Sequence, residues 1–228
     1  MARLPRLVVP DYPHHVTQRG VRSMDIFSGD DERHAYLAFV AEECKRHGVE
    51  VLAWCLMTNH VHFVAIPTTE RSLARAFGEA HRRYTRMKNF ADGVRGYLFQ
   101  GRFSSSVLDQ KHLLAAVRYV EQNPVRAGIT TLAVEYTWSS ARFHIGLVDH
   151  DPLVIDKGLL GLVTNWEEFL NSASEDVSDQ LAAATRTGRP AGDDLFVSTL
   201  EETTGRSIRK KPAGRPSRKC GSPLNRTM

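Results

Sequence analysis

Two apolar runs, VLAWCLM (residues 51–57) and HVHFVAIP (residues 60–67), stand back to back with only Thr58 and Asn59 between them. Runs of this length, rich in aliphatic and β-branched residues and split by a short polar pair, predict a tightly connected β-hairpin. The second run carries two imidazoles in a stretch built to be buried. Strand alternation puts His60 and His62 on one face and Val61 on the other. Imidazoles converging in this way are either satisfied polar core groups or metal ligands. As ligands, two of them leave a divalent ion incompletely coordinated, so a third group has to come from elsewhere.

The segments on either side of the hairpin restrict the fold further. HHVTQRGV (residues 14–21) predicts a strand ending at Gly20. Residues 30–47 predict a helix, with Ser and Asp cap candidates at its start and Lys-Arg-His-Gly at its end. In SLARAFGEAHRRYTRMK (residues 72–88), Leu73, Phe77, Ala80, Tyr84 and Met87 share one helical face, while Arg75, Arg82 and Arg86 line another. GRFSSSVLD predicts a strand, and QKHLLAAVRYVEQN a helix stopped by Pro124. The order is β-α-β-β-α-β with one more helix after it. That predicts an α+β, ferredoxin-like antiparallel sheet with helices on one face. Strand one and the hairpin are expected in the middle of the sheet, which puts His60 and His62 at its centre.

Charge divides the chain. Of 30 Lys+Arg and 26 Asp+Glu, ten and four fall in residues 186–228, leaving 20 and 22 in the rest. A near-neutral body with a basic end suggests a polyanion partner, most commonly nucleic acid. The predicted organisation is a folded domain over residues 1–147, a helical connecting segment over 148–185 and a basic extension over 186–228 suited to binding DNA. Three cysteines without CxxC spacing argue against a disulfide scaffold or a cysteine zinc site. No apolar run approaches the ~20 residues that a membrane-spanning helix needs. The expectation is a cytoplasmic, nucleoid-associated protein with no membrane partner.

In RYVEQNPVRAG (residues 118–128), Tyr119 and Asn123 are four apart and share a helical face. The proline after Asn123 biases that residue out of helical geometry. NHVHFVAIP, FQGRFSSSVLD, YVEQNPVRAG and WSSARFHIG together resemble the REP-associated tyrosine transposases of the HUH single-stranded-DNA transposase group (IS200-like), over residues 10–146. A His-apolar-His triplet alone is common. Followed by Tyr-x-x-x-Asn-Pro in this strand order, it is specific.

The resemblance implies that His60, His62 and Asn123 hold Mg²⁺ or Mn²⁺ and that Tyr119 is the nucleophile. It also implies attack on single-stranded DNA at hairpins, giving a 5′-phosphotyrosine and a free 3′-hydroxyl. A phenol with a pKa of ~10 needs such help at neutral pH. The linkage retains the phosphodiester energy, and no Gly-rich nucleotide loop is present.

His15 and Arg19 share a face of the first strand and are candidate DNA contacts, as are Arg75, Arg82, Arg86, Gln100 and Arg102. In the tail, Arg209, Lys210, Lys211, Arg215, Arg218 and Lys219 are candidate backbone contacts with salt-dependent affinity. Insertion-sequence relatives pair tyrosine and histidines across a dimer. In this chain a site within one monomer is equally open.

Overall fold

The computed structural model describes residues 6–155, 158–172 and 175–209. The hairpin forms as β2 (Val49–Leu56) and β3 (His60–Pro67), with Leu56 opposite Val61. β1 (His14–Arg19) pairs antiparallel with β3 on one side and with β4 (Ser104–Val107) on the other. The sheet order is β2-β3-β1-β4. The central pair is therefore β1 and β3, and β2 lies at an edge. That edge is covered by residues 138–140: Leu56 N donates to Trp138 O (2.8 Å), and Ser140 N donates to Trp54 O (3.0 Å). Part of the WSSARFHIG stretch thus closes an exposed ladder that would otherwise invite strand addition.

Two crossover helices occupy one face. α1 (Asp30–His47) joins β1 to β2, and α2 (Ser72–Ala91) joins β3 to β4. They pack on Val16, Val61, Phe63 and Ala65 through Leu37, Val40, Phe77 and Tyr84. α1 starts with Asp30, Asp31 and Glu32 in its first turn and ends in Lys45, Arg46 and His47 ahead of Gly48, in keeping with the helix dipole. Gly48 holds the left-handed conformation (φ 62°), where its lack of a Cβ removes the strain. Its start carries no side-chain cap at Gly29; instead the Glu32 carboxylate accepts from Ser28 N.

Placing all helices on one face holds for α1 and α2 but not for α3 (Gln110–Glu121). α3 lies on the other face, where Ala116, Val117 and Val120 meet Ala53, Cys55 and Val64. The reason is in the strands: β2 and β3 are apolar toward both sides and need cover on both. Pro124 also does less than expected. Gln122 stays right-handed, and a short helix, α4 (Asn123–Arg126), resumes with the proline in its first turn, where a missing N–H leaves nothing unpaired.

Among the described residues four further α-helices follow: α5 (Ala141–His144), α6 (Trp166–Asn171), α7 (Glu175–Thr187) and α8 (Asp194–Thr204). α7 packs against α3, β4 and β1. Beyond it, Ala191 N donates to Val107 O, and Leu200 and Ile208 join Leu7, Val9 and Val107 in a small apolar cluster. No described helix is long and apolar enough to cross a membrane.

Candidate active site

The register of β1 against β3 decides which side chains meet. His15 stands opposite Val64, Thr17 opposite His62 and Arg19 opposite His60, so all five polar groups point to the face away from α1 and α2. α3 crosses that face and lays Tyr119 over the two strands. The Tyr119 ring meets His62 edge-on at 5.8 Å between centroids and His15 at 5.7 Å. His60 and His62 are themselves edge-to-face at 5.0 Å. Asn123, one turn beyond Tyr119, lies beside His60, where its side chain favours the charged imidazole. The proline after Asn123 therefore does not turn it away from the histidines.

The end of α3 is held firmly. Wholly buried Glu121 accepts from Ser140 Oγ (2.5 Å) and pairs with His144 Nδ1 (2.6 Å). This anchors the turn between Tyr119 and Asn123 to the segment that closes β2.

Each imidazole is oriented by a neighbour. His15 Nε2 and His62 Nδ1 share a hydrogen bond of 2.9 Å, their rings stacked within 6° of parallel. His15 Nδ1 in turn meets Thr185 Oγ1 of α7 at 2.7 Å. His60 Nδ1 meets Asn59 Oδ1 at 2.6 Å. Burial pushes His60 down to about 4, with the Arg19 charge adding to the effect, and pushes His15 down to about 3. His62 lies well below the usual histidine value, through burial first and then through His15, His60 and Arg19. All three are neutral at physiological pH.

These features fit a divalent ion. Neutral imidazoles offer lone pairs, and His62 has Nδ1 committed to His15, leaving Nε2 for a ligand role. The Asn123 carboxamide supplies an oxygen beside His60. Among the described residues no group of three or more His, Cys, Asp or Glu is placed to hold a metal ion.

The tyrosine opens into a cleft of about 670 Å³ lined by His15, Arg19, His62, Gln100 and Arg102, with Thr185 and Arg186 on its far wall. Gln100 and Arg102 reach it because their segment pairs with the end of β1: Gln100 N donates to Arg19 O (2.8 Å), and Gln18 Nε2 to Gly101 O (3.2 Å). Arg126 sits 5.1 Å from the centre of the Tyr119 ring.

Arg75, Arg82 and Arg86 are not at this cleft. They ride on α2, across the sheet, and Arg82 is paired with Glu79. Arg209 is tied to Glu201 and Ser198. Lys210, Lys211, Arg215, Arg218 and Lys219 lie outside the described residues. Thr185, Arg186 and Arg126 were not foreseen. Thr185 and Arg186 stand in a polar helix with no pattern to mark them. Arg126 stands three residues past Asn123, within reach of a helical reading of the same motif.

The fold and this face together define a class. The structure of a REP-associated tyrosine transposase bound to a REP hairpin matches at a TM-score of 0.55 and 15% identity, over 69% of this chain and 93% of that one. At that identity the likeness establishes the fold alone: a four-stranded antiparallel sheet with helices, as in that transposase. Comparison with the curated proteins finds no match. The family model for the IS200-like transposases matches residues 9–123, just over half of the chain, and the protein belongs to that family.

Proposed function

We propose that the chain is a metal-dependent nuclease and strand transferase of single-stranded DNA, acting at hairpin sequences through a phosphotyrosine at Tyr119. One observation carries this reading: in an IS200-like chain, Tyr119 stands against His62 at 5.8 Å with Asn123 beside His60, all supplied by one protomer.

In the reaction, Tyr119 Oη forms a bond to phosphorus and the bond from phosphorus to the 3′ oxygen breaks. The phenolic proton leaves, and the departing oxygen takes one up. The products are a 5′-phosphotyrosine and a free 3′-hydroxyl, and reversal on another 5′ end transfers the strand without ATP. Arg19 and Arg102, exposed in the cleft, bind the flanking phosphates, and Arg126 lends positive charge near the phenol. His60, His62 and Asn123 would hold a divalent ion, which when bound neutralises charge gathering on the non-bridging oxygens. Two imidazole donors suit Mn²⁺ better than Mg²⁺. The REP hairpin held by the structural neighbour supports a folded single-stranded substrate for this chain too. The basic residues from Arg209 onward are proposed as backbone contacts.

The test is a denaturing gel of wild type and Tyr119→Phe with a labelled hairpin carrying single-stranded flanks, in Mn²⁺, Mg²⁺ or EDTA. An SDS-resistant band that needs metal and is absent from Tyr119→Phe is expected. Cleavage persisting in the mutant would point to metal-activated water. Binding without cleavage in any condition would leave a non-catalytic DNA-binding scaffold.

A further inference from the structure

A second hollow lies on the other side of the sheet, between α2 and residues 94–103, with a volume of about 820 Å³. Five arginines line it, Arg6, Arg82, Arg86, Arg95 and Arg102, and among the described residues no acidic one does. Arg82 is paired with Glu79, and Arg6 is spent on Phe103, donating to its carbonyl and stacking over its ring. Arg86, Arg95 and Arg102 are exposed. Tyr97, also on the lining, is 90% exposed.

The wall that carries these groups is shaped rather than loose. Asn89 Nδ2 donates to Gly96 O (2.9 Å), and Gly96 and Gly101 hold φ values of 125° and 66°, where side chains are strained. The two hollows are also continuous. Gln18 and Arg102 line both this groove and the cleft of Tyr119, so the strip passes around the sheet edge at Gly101–Arg102.

Resting on the function proposed above, we propose that this groove is a second DNA subsite. It receives single-stranded DNA running over the Gly101–Arg102 edge from the Tyr119 cleft. Arg86, Arg95 and Arg102 take its phosphates, and Tyr97 stacks on an unpaired base. The chemistry selects this occupant. Unopposed guanidinium groups call for a polyanion, and an exposed aromatic face calls for a base that no partner strand covers.

The test uses the full chain and fluorescence anisotropy with two probes. One is a blunt hairpin, and the other is the same hairpin with a single-stranded flank of about ten nucleotides on either side. Tyr97→Ala should bind the flanked probe about tenfold more weakly, as expected for one lost stacked base. Arg86→Ala with Arg95→Ala should weaken it further and flatten the slope of log affinity against log salt by about 1.4, the value for two single-strand phosphates. Neither change should alter affinity for the blunt hairpin or the melting temperature.

Unchanged affinity for the flanked probe in both variants would overturn the proposal. An equal loss with the blunt hairpin would also overturn it, by placing the duplex stem in the groove. The Tyr119 adduct is read in the same wild-type samples. If no adduct forms while the flank-dependent losses appear, the groove stands and the cleavage reading falls.

Discussion

Val16, Val61, Phe63 and Ala65 face one way along β1 and β3, and His15, Arg19, His60 and His62 face the other. The two sets alternate residue by residue on the same central strands. On the first face α1 and α2 shut out water completely: Val61, Phe63 and Ala65 have no exposed surface. On the second, α3 covers only part of the sheet, and the remainder is the cleft below Tyr119. Period-two alternation thus lets one pair of strands serve both as the wall of a core and as the floor of a site. The difference separates a face where burial dominates from one where neutral imidazoles are held in position.

The most direct way to break this division is to truncate adjacent residues that face opposite ways. Phe63→Ala removes a fully buried ring that packs on Tyr36 and Phe77 and should lower stability by about 3–5 kcal/mol. Adduct formation per folded molecule should stay within a few-fold of wild type. His62→Ala, one residue away, should cost less stability, about 1–3 kcal/mol for the His15 nitrogen left unpaired, yet reduce adduct formation at least about 100-fold. Denaturant midpoints and adduct yield, measured on both variants, decide the matter. Equal stability losses with equal activity losses would show that the faces are not separable.

Buried imidazoles are not confined to the site, which gives a second and smaller test. His14 is held down at about 4 and His81 at about 3, both chiefly by burial, on the side of α1 and α2. His81 Nε2 pairs with Tyr36 Oη, and His14 pairs with Val9 N and Tyr12 O. Above the unfolded value near 6.5 these groups are neutral in both states and pH has no effect through them. Between 6.5 and about 4 the unfolded chain holds protons that the folded chain does not, so stability falls as pH falls. Each such histidine contributes at most about 1.4 kcal/mol per pH unit in that window. Urea midpoints from pH 7.5 to 5 should therefore drop, and His81→Gln should make the drop shallower. A flat profile would mean that His14 and His81 take up protons within the fold.

Much of this was readable from the chain itself, for reasons that particular residues make plain. The hairpin at Thr58-Asn59, the charge-marked ends of α1, and the shared faces of His60 with His62 and of Tyr119 with Asn123 all follow from local periodicity. Local periodicity stops at the element. It does not say which side of a sheet a helix takes, so the arginines of α2 could be grouped but not located. Nor does it pair strands: the contact of His15 with His62 depends on β1 lying against β3 across 47 residues of chain. The open edge of β2 is covered by residues 138–140, whose sequence carries no strand signal. α7 is the extreme case, because its polar composition hides the single hydroxyl that reaches the site.

That hydroxyl is the finest probe of the contrast between the faces. Thr185 Oγ1 to His15 Nδ1, and His15 Nε2 to His62 Nδ1, form a chain that runs from α7 to the ring facing Tyr119. Replacing Thr185 by Val keeps the volume and removes only the hydroxyl, leaving a buried ring nitrogen without its partner. Stability should fall by about 1–3 kcal/mol, the usual consequence of an unsatisfied buried group. If the chain positions His62, the rate of adduct formation at saturating DNA should fall about tenfold while DNA affinity holds, as for outer partners of ligating histidines. Thr185→Ser restores the hydroxyl and should recover the rate. A Val variant that is destabilised but fully active would make α7 a cover for the cleft and nothing more. A rate loss that Ser repairs would make it part of the machinery, and the polar face would then extend beyond the sheet into the helix that closes it.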